Sequence, residues 1–149
     1  MASAAQWDTT LKFWEAHVAG DLKKHGHEAL VRLFLKNKDS QKHFPKFKDL
    51  ASEAEMRGSD GLKNHGETVF TALGKALQQR DGIANELRPL AVTHSQNHKI
   101  PLEEFENICE VIDVYLAEIC PDYAGETRTS VKAVLDVFSQ SMTTLYGEV

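Results

Sequence analysis

A chain of 149 residues with 42% apolar and 26% charged side chains has the composition of one ordinary globular domain, residues 1–149, with a single core. Its net charge of −5 leaves no basic stripe to displace counterions from a phosphate backbone, so no nucleic-acid partner is expected. Met1 to Thr10 lacks the basic-then-apolar order of a secretory signal, and no apolar run reaches the length of a membrane span. A soluble, cytoplasmic protein with no membrane partner is the expectation.

Ser3-Ala4-Ala5-Gln6 is a capping-box pattern and predicts a helix whose buried face is Trp7, Leu11, Trp14 and Val18. Gly20-Asp21 interrupts it, and Asp21 can cap a second helix with the stripe Leu22, Gly26, Ala29, Leu30, Leu33 and Phe34. Gly26 on an inward face points to a close helix crossing; otherwise it is a tolerated glycine costing about 1 kcal/mol against alanine. Asn37 to Leu50 reads as irregular or short-helical and carries Phe44-Pro45-Lys46-Phe47. Those aromatics either seal a core edge or lie flat against a planar group. Ser52-Glu53-Ala54-Glu55 is a second capping box, opening a helix of one or two turns that breaks between Gly58 and Gly61.

The next helix places Leu62, His65, Val69, Leu73 and Leu77 on one stripe and ends near Asp81-Gly82. Another begins around Asn85 with Pro89 in its first turn, and Leu87, Leu90, Ala91 and His94 share its inward face. Pro101 restricts Ile100 to an extended conformation and opens the following helix, whose stripe is Phe105, Ile108, Ile112, Leu116 and Ile119. A final helix from about Glu126 buries Val131, Val134, Leu135, Phe138, Met142, Leu145 and Tyr146. No segment alternates with period two, so the fold class is all-α, with six longer helices plus one or two short ones. Cys109 and Cys120 would lie about 16 Å apart along one helix, too far for a bridge. A buried thiol at Cys109 and a half-exposed one at Cys120 are expected, and no CxxC or CxxCH pattern occurs.

One histidine on an apolar stripe is more often a core side chain bonded to a carbonyl. Here two inward stripes each carry one, His65 and His94, with Phe44 and Phe47 in a connecting segment and small apolar Val69 one turn past His65. Together they point to a shared ligand. An apolar slot with an imidazole on either wall suits haem, one histidine as the proximal iron base and the other lining the distal pocket. His17, His25, His27 and His43 show no ligand spacing and are expected at the surface or between helices.

Leu33-Phe34, His43-Phe44-Pro45-Lys46-Phe47-Lys48, Glu53-Ala54-Glu55-Met56, Leu62-Lys63-Asn64-His65-Gly66, Thr93-His94 and His98-Lys99-Ile100-Pro101 follow one another along most of the chain. In these motifs and their order the chain resembles the globin family, and within it the vertebrate myoglobin branch. The resemblance implies a globin fold around a pocket holding non-covalent haem b (iron protoporphyrin IX). It makes His94 the proximal iron ligand and His65 the distal histidine that donates an N–H to bound dioxygen. It places Leu30 and Val69 in the distal pocket and Phe44 against the porphyrin. Leu90, Ile100, Phe105 and Ile108 would line the proximal and rear walls, and Lys46, Thr93 and His98 would stand near the propionates. Thr93 would also accept the second ring N–H of His94, fixing its tautomer. The chain departs from the family pattern at Lys38, where proline is usual, and at Gln41, where an apolar residue is common. One extra residue between Trp14 and Gly26 also departs from it.

The implied function is reversible binding of dioxygen, among small gaseous ligands, for intracellular storage or facilitated diffusion by a monomer. A hydrogen bond to the charge that dioxygen draws onto its outer oxygen contributes about 1.5–3 kcal/mol, ten- to hundredfold in affinity. One alternative is a haem redox enzyme acting on nitrite, nitric oxide or peroxide; dedicated peroxidases carry polar distal groups where this chain has Val69 and Leu30. The other is a six-coordinate sensor globin in which His65 itself ligates iron. Both coordination states use the same two histidines.

Overall fold

The computed structural model describes residues 2–97 and 100–148. Helix α1 (Ala4–His17) starts as its capping box predicts: Ser3 Oγ accepts from Gln6 N at 3.1 Å and Gln6 Oε1 accepts from Ser3 N at 2.9 Å. It buries Trp7, Phe13 and Trp14, and Val18 closes it. After a 3-10 turn over Ala19–Asp21, the Asp21 carboxylate caps α2 (Leu22–Lys36). The four-residue α3 (Lys38–Gln41) follows at once, with Lys38 in its first position. That position tolerates a proline's missing N–H, so either residue can start the helix.

Gln41 fills its unusual place with a specific task. Its Nε2 donates to the backbone carbonyls of Phe47 (2.6 Å) and Leu50 (2.8 Å), stapling the turn that carries Phe44 and Phe47. An apolar residue there would leave both carbonyls without this partner. In α4 (Glu53–Gly58) Ser52 Oγ accepts from Glu55 N, while Glu55 reaches back to Ala51 N at 3.0 Å rather than to the cap's own N–H. The expected break after it narrows to Ser59, whose Oγ caps α5 (Asp60–Gln78) at Leu62 N.

A 3-10 turn over Arg80–Gly82 leads into α6 (Ile83–Val92). This helix begins earlier than the sequence suggested, so Pro89 lies in its interior and not in its first turn. Pro89 cannot donate to the carbonyl of Asn85, and the helix loosens soon afterwards into a π turn over Thr93–Asn97. Helices α7 (Glu103–Ile119) and α8 (Gly125–Glu148) complete the chain. Among the described residues there are six longer helices, two short ones and no strand. One continuous apolar core runs from Trp7 on α1 to Leu145 on α8.

The tightest joint is the crossing of α2 over α5. A Cβ added to Gly26 would stand 2.0 Å from the Gly66 carbonyl oxygen, and one added to Gly66 would stand 2.4 Å from His27 N. The close crossing expected at Gly26 is therefore present, and it needs a second glycine. The remaining histidines sit between elements, as expected. His25 Nδ1 is 2.7 Å from Tyr115 Oη, His27 Nε2 is 2.9 Å from the Met56 carbonyl, and His17 faces Asp122 at 3.5 Å.

Several expectations of burial need correction, and Leu11 and Leu22 are among them, being only half-buried. Ile119 is 41% exposed, because it ends α7 where Tyr115, Leu116 and Cys120 already fill the inward side. The cysteines exchange roles: Cys120 is 7% exposed as the chain turns inward past the helix end, while Cys109 is half-buried beside the Leu135 carbonyl on α8. Burial still pushes the Cys109 thiol up to about 12, with Asp136 and Glu106 adding to it, so both cysteines are poor nucleophiles at neutral pH. Phe138 and Tyr146 are half-buried rather than buried, each set edge-on against Phe105.

The corner between α7 and α8 is fastened by Asp113, which accepts from Tyr123 Oη at 2.7 Å and from Arg128 at 3.1 and 2.9 Å. Burial alone would raise the Asp113 carboxyl, but the Arg128 and Tyr123 hydrogen bonds outweigh it and hold it below its ordinary 3.8. A carboxyl with a depressed folded-state pKa stabilises the fold above its unfolded value and loses that contribution as pH falls through the folded one. Asp113→Asn is therefore expected to be less stable than the parent at neutral pH. The gap should close as pH drops below 3.8, measured by urea unfolding across the acid range.

Candidate functional site

His94 stands second in the π turn Thr93–Asn97, where the widened backbone turns the chain out of α6. The His94 carbonyl accepts from Ile100 N at 2.7 Å, which closes the loop behind it. His94 Nδ1 lies 2.8 Å from the Leu90 carbonyl oxygen. A carbonyl can only accept, so Nδ1 carries the hydrogen and the neutral ring has its lone pair on Nε2. That is the tautomer a metal-ligating imidazole requires. Thr93 Oγ1, expected to take this hydrogen, is 3.4 Å from Nδ1 and instead donates to the Leu90 or Pro89 carbonyl at 3.1 and 3.2 Å. The orienting role falls first to the Leu90 backbone, which no side-chain pattern could have indicated.

Behind His94 stands a wall of aromatics. Phe105 packs on His94 with centroids 5.8 Å apart, and Tyr146 and Phe138 meet Phe105 edge-on at 5.8 and 6.0 Å. Tyr146 Oη donates to the Ile100 carbonyl at 2.8 Å and so ties α8 to the segment after His94. Ile100 and Phe105 are each 9% exposed, and Ile108 is half-buried one turn on. Tyr146 belongs to the site although the sequence marked it only as core.

His65 is the sixth residue of α5 and is half-buried. Its ring lies between Phe44, edge-on at 5.5 Å and 82°, and Phe47, tilted at 5.5 Å. Phe44 also meets Phe34 edge-on at 5.1 Å. The pair of aromatics that could either seal the core or face a planar group divides its labour: Phe47 is buried, Phe44 half-buried. Val69 is half-buried one turn beyond His65, and Leu30 is fully buried behind. Lys46 is exposed, Thr93 half-buried, and His98 lies outside the described residues.

Burial along the inward stripes is uneven in a telling way. Leu62, Leu77, Leu87, Ala91, Ile112 and Leu116 are covered completely or nearly so. Phe44, His65, Val69, Leu90, His94, Ile108 and Phe138, on the same inward sides, are only half-covered. This half-covered set is apolar apart from its two imidazoles, one on α5 and one in the π turn after α6. Among the described residues no three His, Cys, Asp or Glu side chains gather to hold a bare metal ion. A flat apolar macrocycle offering its iron to one imidazole fits the donors present.

The sequence model of the family described as Globin matches residues 27–142, most of the chain. This chain is a globin. The match encloses both histidines and every pocket residue expected from the sequence, and the all-α globin fold is the one the helices build. As a member of this family the globin binds haem, and small gaseous molecules are its ligands. Tyr146 lies just beyond the matched span, and its bond to the Ile100 carbonyl ties the end of α8 to the segment after His94. No helix of the described residues is long and apolar enough to cross a membrane.

Proposed function

We propose that this globin holds non-covalent haem b, with His94 as the proximal iron ligand and His65 as the distal hydrogen-bond donor. In this reading it binds dioxygen reversibly for storage or facilitated diffusion, as a cytoplasmic monomer of the vertebrate myoglobin kind. The observation that carries the reading is the 2.8 Å contact from His94 Nδ1 to the Leu90 carbonyl, which leaves Nε2 as the lone-pair donor. The bound haem supplies the iron at which a diatomic ligand is held; the chain supplies everything around it.

His65, steadied between Phe44 and Phe47, offers a ring N–H on α5. Leu30 and Val69 exclude water, and Leu90, Ile100, Phe105 and Ile108 form the proximal and rear walls. Lys46, Thr93 and His98 are assigned to the propionate edge. No second acid or base stands among Leu30, Phe34, Phe44, Phe47 and Val69, which favours ligand storage over a dedicated redox turnover. The motif ending His98-Lys99-Ile100-Pro101 supports the myoglobin-like assignment.

His65→Leu is expected to lower oxygen affinity ten- to hundredfold, from the loss of about 1.5–3 kcal/mol of hydrogen bonding to a charged acceptor. Oxygen dissociation followed by stopped flow reads this out. An unchanged dissociation rate would remove His65 from the role.

A further inference from the structure

The globin's own site leaves a buried histidine–tyrosine pair unused. His25 on α2 and Tyr115 on α7 meet with Nδ1 2.7 Å from Oη, and the two residues are 8% and 3% exposed. The His17 backbone carbonyl also favours the protonated ring of His25. When the ring hydrogen sits on Nε2, Nδ1 keeps the lone pair that accepts the Tyr115 hydroxyl.

The chain has three tyrosines, and only this one is set against a good base. Tyr146 donates to the Ile100 carbonyl, which cannot take its proton. Tyr123 donates to Asp113, a carboxylate that Arg128 keeps a weak base. Tyr115 faces an imidazole nitrogen at 2.7 Å, a stronger base than a carbonyl or an arginine-paired carboxylate, although burial and Lys24 lower its pKa. A phenol that loses an electron becomes a strong acid, so the partner's basicity decides which tyrosine can be oxidised.

We propose that Tyr115 and His25 form a proton-coupled redox site, in which Tyr115 gives one electron to a haem oxidised by a hydroperoxide while its phenolic proton moves to His25 Nδ1. The proposal rests on the haem assignment above. The O–H bond of Tyr115 breaks and an N–H bond forms on His25. The haem is reduced by one electron, and a neutral tyrosyl radical remains beside an imidazolium. An external one-electron donor reverses the step, and the proton returns to the phenolate oxygen.

The surroundings suit this use. Tyr115 is seven residues from the pocket residue Ile108 on the same face of α7, about 10 Å along the axis at 1.5 Å per residue. Burial keeps the radical from coupling with another molecule. The Arg32 guanidinium, 4.9 Å from the Tyr115 ring, opposes oxidation, but it is itself paired with Glu28 and Glu118.

The test uses the full-length, haem-loaded protein, whose visible spectrum first establishes that haem is bound. Samples frozen after mixing with hydrogen peroxide are read by electron paramagnetic resonance, with ring-deuterated tyrosine identifying the radical. The signal is expected in the parent, Tyr123→Phe and Tyr146→Phe proteins and absent from Tyr115→Phe, which removes only a hydroxyl. In His25→Gln, checked for native circular dichroism, the signal should be lost because no base remains. A second arm replaces peroxide with a photogenerated ruthenium(III) oxidant, which needs no haem chemistry. There Tyr115 oxidation should show a solvent deuterium isotope effect in the parent and slow in His25→Gln. A radical that persists in Tyr115→Phe, or is undiminished in His25→Gln, overturns the proposal. So does a Tyr115 radical formed with ruthenium but never with peroxide in protein that binds haem.

Discussion

His94→Gly is expected to lose stable haem, and added imidazole is expected to restore it. Removing the ring takes away the imidazole whose Nδ1 the Leu90 carbonyl holds at 2.8 Å. Loss of a partner that merely orients a metal ligand costs about 10–100-fold in affinity, so loss of the ligand itself should exceed about 100-fold. Phe105 would face a void where it now packs on His94 at 5.8 Å, a space that free imidazole can refill. The helices do not depend on this side chain, which is half-buried at the core's edge, so far-ultraviolet circular dichroism should change little. Haem transfer to a competing apo-globin measures the retention. A variant that keeps its haem with the parent's spectrum would show that His94 is not the ligand.

The second large effect is expected at Gly66→Ala. The added methyl would stand 2.4 Å from His27 N and 2.5 Å from the Gly26 carbonyl carbon, both backbone atoms that cannot rotate away. Overpacking commonly costs about 1–3 kcal/mol, and a clash between two helix backbones belongs at or above the top of that range. For a domain of this size each kcal/mol lowers the melting temperature by roughly 2–4 °C, so a drop of about 6–12 °C is expected. Gly147→Ala is the control: nothing lies within 4 Å of its built Cβ, and the change should be neutral or stabilising by up to about 1 kcal/mol. Because His65 adjoins Gly66, the clash should also displace the distal imidazole and alter ligand affinity. Equal melting of Gly66→Ala and its parent would mean that the crossing is looser than described.

What the sequence revealed and what it hid follow a physical division. The helices, their caps at Ser3, Asp21 and Ser52, and the inward faces of His65 and His94 are consequences of local spacing, which one chain displays in full. Gly26 announced a close crossing because an inward glycine has few other uses, but its partner Gly66 could not be paired with it from spacing alone. Roles that depend on where a polar atom finds its partner were hidden. The Leu90 carbonyl that orients His94, the Gln41 amide that staples the Phe44 turn and the Tyr146 hydroxyl on Ile100 all act across the fold. Starting the helix at Asn85 puts Pro89 in a first turn, where proline is harmless; the structure has it inside α6, ahead of the π turn that presents His94. Ile119 matched its stripe by number but outran the neighbours that would have covered it.

The most direct test is the visible spectrum of the haem-loaded, full-length protein in the deoxygenated ferrous state and again after oxygen is admitted. One broad band that splits reversibly into two is the result predicted for iron held by His94 alone, with His65 standing by as hydrogen-bond donor. Two sharp bands already present without oxygen would place His65 on the iron and contradict the storage reading, and failure to take up haem would contradict the site altogether.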